Sequence, residues 1–118
     1  MDITNYITDF VRECGVNSGV CIVNSIHSTT AIIVNEHEEG LMRDIVRKIK
    51  EEFPRGVNWL HDRIDDNAAS HIASVFLGSS KVFPIRNGRL VRGTWQNIFL
   101  LELDGPRRRG VICEVIGE

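Results

Sequence analysis

Apolar residues return every three or four positions at the start of the chain, at Ile3, Tyr6, Ile7, Phe10, Val11 and Cys14. That period predicts a helix with these residues on its buried face, Thr4 or Asn5 as its cap and Gly15 as the left-handed residue that ends it. Val20 to Ile26 and Ala31 to Val34 are short runs rich in β-branched residues, separated by the polar His27-Ser28-Thr29-Thr30. They read as two strands buried on both faces.

Helical spacing resumes at Leu41, Met42, Ile45, Ile49 and Phe53, after Glu38 and Glu39 and before Pro54. Acidic residues favour a helix N-terminus and proline ends a helix, so a second helix is expected there. A third runs through Ala68, His71, Ile72, Val75 and Phe76 to Gly78, with Asp65-Asp66 at capping positions and His71 on its apolar face. From Lys81 the period becomes two: Val82 to Ile85, an Asn87-Gly88 hairpin signal, Leu90-Val91, Trp95 to Leu103, a turn at Asp104-Gly105-Pro106, and Val111 to Ile116. Early helices and late hairpins predict a compact single α+β domain over residues 1–118, about three helices on a mixed or antiparallel sheet that ends in a meander.

At 118 residues and 42% hydrophobic the chain can bury a core unaided. Lys+Arg 14 against Asp+Glu 16 leaves a net charge of −2, with no overall positive field to draw it onto nucleic acid or an anionic membrane. Cys14, Cys21 and Cys113 show no CxxC spacing and sit among apolar residues, as small core side chains in a reducing compartment do. The N-terminus lacks a basic segment followed by an apolar run, and no stretch nears the roughly 18 apolar residues of a membrane span. A soluble, cytoplasmic protein is expected.

The histidines carry the chemistry to be weighed. His27 ends a strand, where its ring can be aimed at a ligand beside the hydroxyls of Ser28, Thr29 and Thr30. His71, near Asp65, Asp66 and Asn67, needs partners for its ring nitrogens if buried. With His61 these rings could hold one divalent ion and leave a fourth position open, as catalytic zinc sites do. Against that stands the absence of an HExxH-type signature, and a lone helix histidine is more often a hydrogen-bonded core residue. His37, among glutamates, reads as a solvated surface residue.

Asp104-Gly105-Pro106 is first a β-turn, but the three arginines that follow are unusual, and strand alternation would set Arg107 and Arg109 on one side, where guanidiniums can hold phosphate or carboxylate. Gly78-Ser79-Ser80-Lys81 offers amides and hydroxyls without the Walker pattern. Gly93-Thr94-Trp95-Gln96 reads as a bulge with Trp95 in the core and Gln96 satisfying a backbone group, or else as a pocket wall.

In combination, His27-Ser28-Thr29-Thr30-Ala31, Asn35-Glu36, His61, Asp66-Asn67-Ala68, His71, Gly78-Ser79-Ser80, Gly93-Thr94-Trp95-Gln96 and Asp104-Gly105-Pro106-Arg107 resemble the YjbQ-like family across nearly the whole chain. The resemblance implies an α/β sandwich assembled as a homotrimer, with a polar cleft near or between subunits. It also implies weak thiamin phosphate synthase activity, which joins a pyrimidine diphosphate to a thiazole phosphate with loss of pyrophosphate. Carried onto matching positions, His27, His61 and His71 become metal ligands or general acid–base groups, Asp66 and Asn67 orienting groups, and Glu36 a further carboxylate. Arg107 and Arg109, with Ser79, Ser80, Trp95 and Gln96, become ligand-binding residues for a small phosphorylated molecule, and zinc or magnesium the metal. One departure is the stretch Ala68-Ala69-Ser70 before His71, where another polar or acidic residue is expected. A non-catalytic trimer that binds a metal or anion is the alternative, and RNA contact along Arg107 to Arg109 a third, weakened because the eight aromatic residues mostly follow core patterns.

Overall fold

A computed structural model describes residues 1–118. In chain order the elements are α1 (Thr4–Cys14), β1 (Ser18–Ser25), β2 (Thr30–Asn35), α2 (Glu39–Glu52), a 3-10 turn (Leu60–Arg63), α3 (Ala68–Leu77), β3 (Ser80–Arg86), β4 (Arg89–Leu90), β5 (Asn97–Glu102) and β6 (Val111–Gly117). All strand pairs are antiparallel and form two sheets, β4-β3-β1-β6 and β2-β5. The expected closing meander is therefore broken: only β3 and β4 form a hairpin, while β5 returns to β2 and β6 to β1. A strand pairs with whichever edge completes its ladder and covers its apolar side, and local sequence does not specify that edge.

The core lies where the inner face of the larger sheet, α1 and the β2-β5 ribbon meet, and is built on Ile3, Ile7, Val11, Cys21, Val23, Ile32, Phe83, Ile85 and Ile98. β1 is buried on one face only: Cys21, Val23 and Ser25 point inward, while Val20 on the other face is exposed. β2 is buried on both faces at Thr30, Ala31 and Ile32 because α3 covers the side away from the core. The Ser74 hydroxyl donates to the Thr30 carbonyl at 2.6 Å. α3 presents its small residues, Ala69, Ser70, Ala73 and Ser74, to the strand, which permits close approach, and leaves Val75 and Phe76 exposed. His71 thus lies off the covered face.

Capping also differs from expectation. Asp2 accepts from the backbone N–H and hydroxyl of Thr4, and Thr4 is itself buried, its hydroxyl accepting from Ile98 N at 2.8 Å. Asp62, not Asp65 or Asp66, accepts from Ala68 N at 3.0 Å. Glu38 caps α2 through Gly40 N and Leu41 N, as its position suggests. The Asn87-Gly88 turn has φ of 54° and 74°, the two positive values a tight hairpin turn requires.

Much of the apolar surface stays uncovered. α2 has no buried residue despite its apolar stripe, and Tyr6, Phe10 and Cys14 on α1, with Trp95, are exposed. The radius of gyration is 15.9 Å with extents of 50 × 30 × 21 Å, against about 13.5 Å for a compact chain of this length. The domain is more extended than the compact one expected, and no helix is long and apolar enough to cross a membrane.

Candidate functional site

Four separated segments meet at one end of the fold: the turn between β1 and β2, the N-terminal end of α3, and the two arms of the loop between β5 and β6. Between them lies a cavity of about 500 Å³ lined by His27, Ser28, Thr29, Asp65, Asp66, Asn67, His71, Asp104, Arg107 and Arg109, with Ile26 as the sole apolar contributor. A hollow this polar does not arise from core packing, which favours apolar linings.

His27 is locked in place. Its Nε2 accepts from the backbone N–H of Gly110 at 2.7 Å. A backbone amide only donates, so this nitrogen offers its lone pair and a neutral ring carries its proton on Nδ1. His71, half-buried, makes no hydrogen bond within the chain through its ring; instead it meets the exposed ring of His61 edge-on, with centroids 4.8 Å apart. His61 stands beside the cavity and does not line it.

The two arginines do share a side, as expected, although they lie in an irregular segment before β6 and not in a strand. Arg109 forms a two-pronged pair with Glu102, Nε to Oε1 at 2.7 Å and Nη2 to Oε2 at 2.5 Å, and also donates to the Thr29 hydroxyl at 2.8 Å. Its side chain is 9% exposed. The Arg109 guanidinium and the Asp104 amide together outweigh partial burial and hold the Glu102 carboxyl at about 2. Arg107 is mostly exposed and donates Nε to the Asp104 carbonyl at 2.8 Å and Nη2 to Asp104 Oδ2 at 3.1 Å.

Asp104 also accepts from Asn67 Nδ2 at 2.8 Å. This bond and the neighbouring Arg107 hold its carboxyl below the usual range. A carboxylate only accepts, so it fixes which end of the Asn67 amide faces it. The other end, Oδ1, is the one buried side-chain polar atom without a partner, a state that costs about 1–3 kcal/mol. Stability is thus given up at the cavity wall.

Other expected site residues lie elsewhere. Glu36 does not line the cavity, and Ser79 and Ser80 are exposed, Ser79 O accepting from Ser25 N at 2.8 Å. Trp95 is 70% exposed, so it neither fills core nor walls the cavity, whereas Gln96 Oε1 accepts from Gly93 N at 2.7 Å as a backbone partner. His37 is surface-exposed and bonded to Asp2 at 2.6 Å. Of the cysteines, Cys21 and Cys113 are neighbours at 3.4 Å in the larger sheet, and burial with its neighbour pushes the Cys21 thiol up to about 12. Lys81 donates to the Ile32 carbonyl at 2.6 Å and to Leu77 O at 3.2 Å, closing the end of α3 and facing no ligand.

Glu102 is not among the residues that the sequence marks, and Asp104 is marked only as part of a turn motif. The DGPR stretch was a usable signal for Asp104; nothing local marks Glu102, whose partner is seven residues away across a loop. The three histidines do not form one ligand set: His61 lies outside the cavity, Nε2 of His27 is occupied, and no group of three or more His, Cys, Asp or Glu side chains is placed to hold a metal ion.

Known proteins share this arrangement's fold. A YbjQ-like protein of unknown function from Sulfolobus solfataricus P2 superposes with a TM-score of 0.98 at 52% identity, over 100% of this chain and 86% of the other. A hypothetical protein from Aeropyrum pernix K1 gives 0.96 at 40%, over 100% and 88%. A UPF0047 protein of Archaeoglobus fulgidus is 43% identical over 93% of this chain and 88% of its own length. The family description "UPF0047 protein YjbQ-like" matches residues 1–118, and with sequence, fold and relatives in agreement over the whole length, the chain belongs to the YjbQ-like UPF0047 family.

Proposed function

We propose that the polar cavity binds a small phosphorylated molecule and assists departure of a phosphate-type leaving group, in the manner of a thiamin phosphate synthase-like transferase. The observation that carries this reading is the convergence of His27, His71, Arg107, Arg109 and Asn67 on one hollow. Arg107 is the anion holder, because its guanidinium is exposed at the rim and shares its charge with a single carboxylate. His71 is the general acid–base group, since both its ring nitrogens are free to exchange a proton with bound substrate. In the diphosphate case the C–O bond breaks with its electron pair passing to pyrophosphate, whose charge Arg107 and a protonated His71 offset, and the carbon left behind forms a new C–N bond with the lone pair of the thiazole nitrogen. Arg109 and Glu102 form the wall that keeps these groups in place.

The chain places no group of three or more His, Cys, Asp or Glu side chains to hold a metal ion, so a divalent ion, zinc or magnesium, would enter this reading only with a phosphorylated substrate, where it would offset phosphate charge.

Incubation with the pyrimidine diphosphate and thiazole phosphate, followed by pyrophosphate release, tests the reading. Sustained release supports it; none at any protein concentration leaves the non-catalytic alternative, an anion-binding module. Either way Arg107→Ala is expected to weaken binding of a phosphate monoester about tenfold, near 1.5 kcal/mol, as loss of one charge-assisted contact does. Unchanged affinity by calorimetry would remove Arg107 from the site.

The reading includes a homotrimer. Supporting it are the apolar stripe of α2, which is only half-buried within the single chain, and the extended shape of that chain. Light scattering on the purified protein is expected to give three times the 13.3 kDa of one chain; a monomer mass would refute it.

A further inference from the structure

The run Arg86-Asn87-Gly88-Arg89-Leu90-Val91-Arg92 contributes nothing to the polar cavity. The tight turn sets Arg86 directly opposite Arg89, and like charges facing each other across a ladder are destabilising. α1 packs on this hairpin and adds a third cation, so that Thr8, Arg12, Arg89, Leu90 and Arg92 surround a second hollow of about 250 Å³.

The charge at this corner is only partly neutralised. Arg12 pairs with Asp9, but the chain's seven ion pairs include neither Arg89 nor Arg92. Arg92 donates Nη1 to the Gln96 carbonyl at 2.5 Å, which anchors the guanidinium without cancelling its charge and leaves its other N–H groups available. Glu118, at the same end, is tied to Asn17 and Ser18 through its backbone, and its carboxylates pair with none of these arginines.

We propose that this corner is a second site, separate from the polar cavity, for a small multivalent phosphate anion such as pyrophosphate. Arg89 and Arg92 bring two guanidiniums without a carboxylate partner to one hollow, beside the Asp9-paired Arg12, and planar forks of this kind hold phosphate oxygens bidentately. The Thr8 hydroxyl supplies a neutral donor. The volume admits a phosphate or two. With a net charge of −2 on the chain, recognition is local and falls with added salt.

The test is a titration of the full ¹⁵N-labelled chain with sodium pyrophosphate at low salt, read at the amides of Thr8, Leu90 and Arg92, in wild type, Arg89→Gln and Arg107→Gln. Saturable shifts at these amides are expected, with affinity reduced tenfold or more by Arg89→Gln and unchanged by Arg107→Gln. Arg89 has no side-chain partner in the fold and faces Arg86 across the ladder, so its variant should melt no lower than wild type. The proposal is overturned if these amides do not move in wild type, or if Arg89→Gln titrates as wild type does. A uridine oligonucleotide that shifts the same amides more tightly than pyrophosphate would overturn it in favour of a nucleic-acid surface.

Discussion

On the proposed transferase reading, replacing His71 with alanine is expected to reduce pyrophosphate release at least about 100-fold, the lower end of what a positioned general acid–base group supplies, while shifting the melting temperature by no more than about 2 °C. The two halves of this expectation rest on different observations. His71 lines the cavity yet its ring makes no hydrogen bond to the chain, so its removal leaves no buried group unsatisfied. It lies mid-helix in α3, off the face that packs on β2, where alanine is the better helix former by a few tenths of a kcal/mol. His61→Ala should have a smaller effect, because that ring reaches the site only through its edge contact with His71. Turnover within twofold of wild type in His71→Ala would take the imidazole out of the chemistry. A melting temperature lowered by 10 °C or more would mean that the residue holds the fold instead.

The Arg109→Ala variant is expected to lose about 2 kcal/mol at pH 7, less than the roughly 3–5 kcal/mol for breaking a buried pair, because Glu102 remains one-third exposed and keeps access to water. The effect depends on pH. Glu102 has a folded value of about 2 against an ordinary 4.5, so the pair stabilises the folded state fully above about pH 4.5 and progressively less as pH falls toward 2. Urea titrations of wild type and variant should converge over that window, retaining only the smaller difference due to the Thr29 hydrogen bond. A gap that stays constant from pH 7 to pH 3 would show that the ion pair is not what Arg109 contributes. The same substitution should also loosen the cavity, since Arg109 ties the β1–β2 turn to the end of β5.

Local chemistry made a good part of the fold legible. Glycine at 15 and 78, proline at 54 and the Asn87-Gly88 pair end or turn the chain where they stand because their backbone preferences act without distant partners, and the α1 and α2 periods mark helices correctly. Period does not say which side will be covered. Tyr6, Phe10, Val75 and Phe76 fit an apolar face yet stay exposed in the chain, because the packing partner selects the face. For α3 the small side chains won, since Ala69, Ala73 and Ser74 let the helix sit close on β2. The exposed aromatics also remove the expectation that they occupy core positions.

Residue type alone marked His27, His71, Asn67, Arg107 and Arg109 as candidates, because imidazole, amide and guanidinium groups among apolar runs must serve some polar purpose. Tertiary structure alone decided that these five share a cavity while Glu36, Ser79, Ser80, Trp95 and Gln96 do not line it, that His61 stands outside, and that Arg109 is committed to Glu102. The difference is physical: torsional and capping preferences are properties of a few adjacent residues, whereas convergence depends on β5 pairing with β2 and β6 with β1, ladders whose partners lie tens of residues apart.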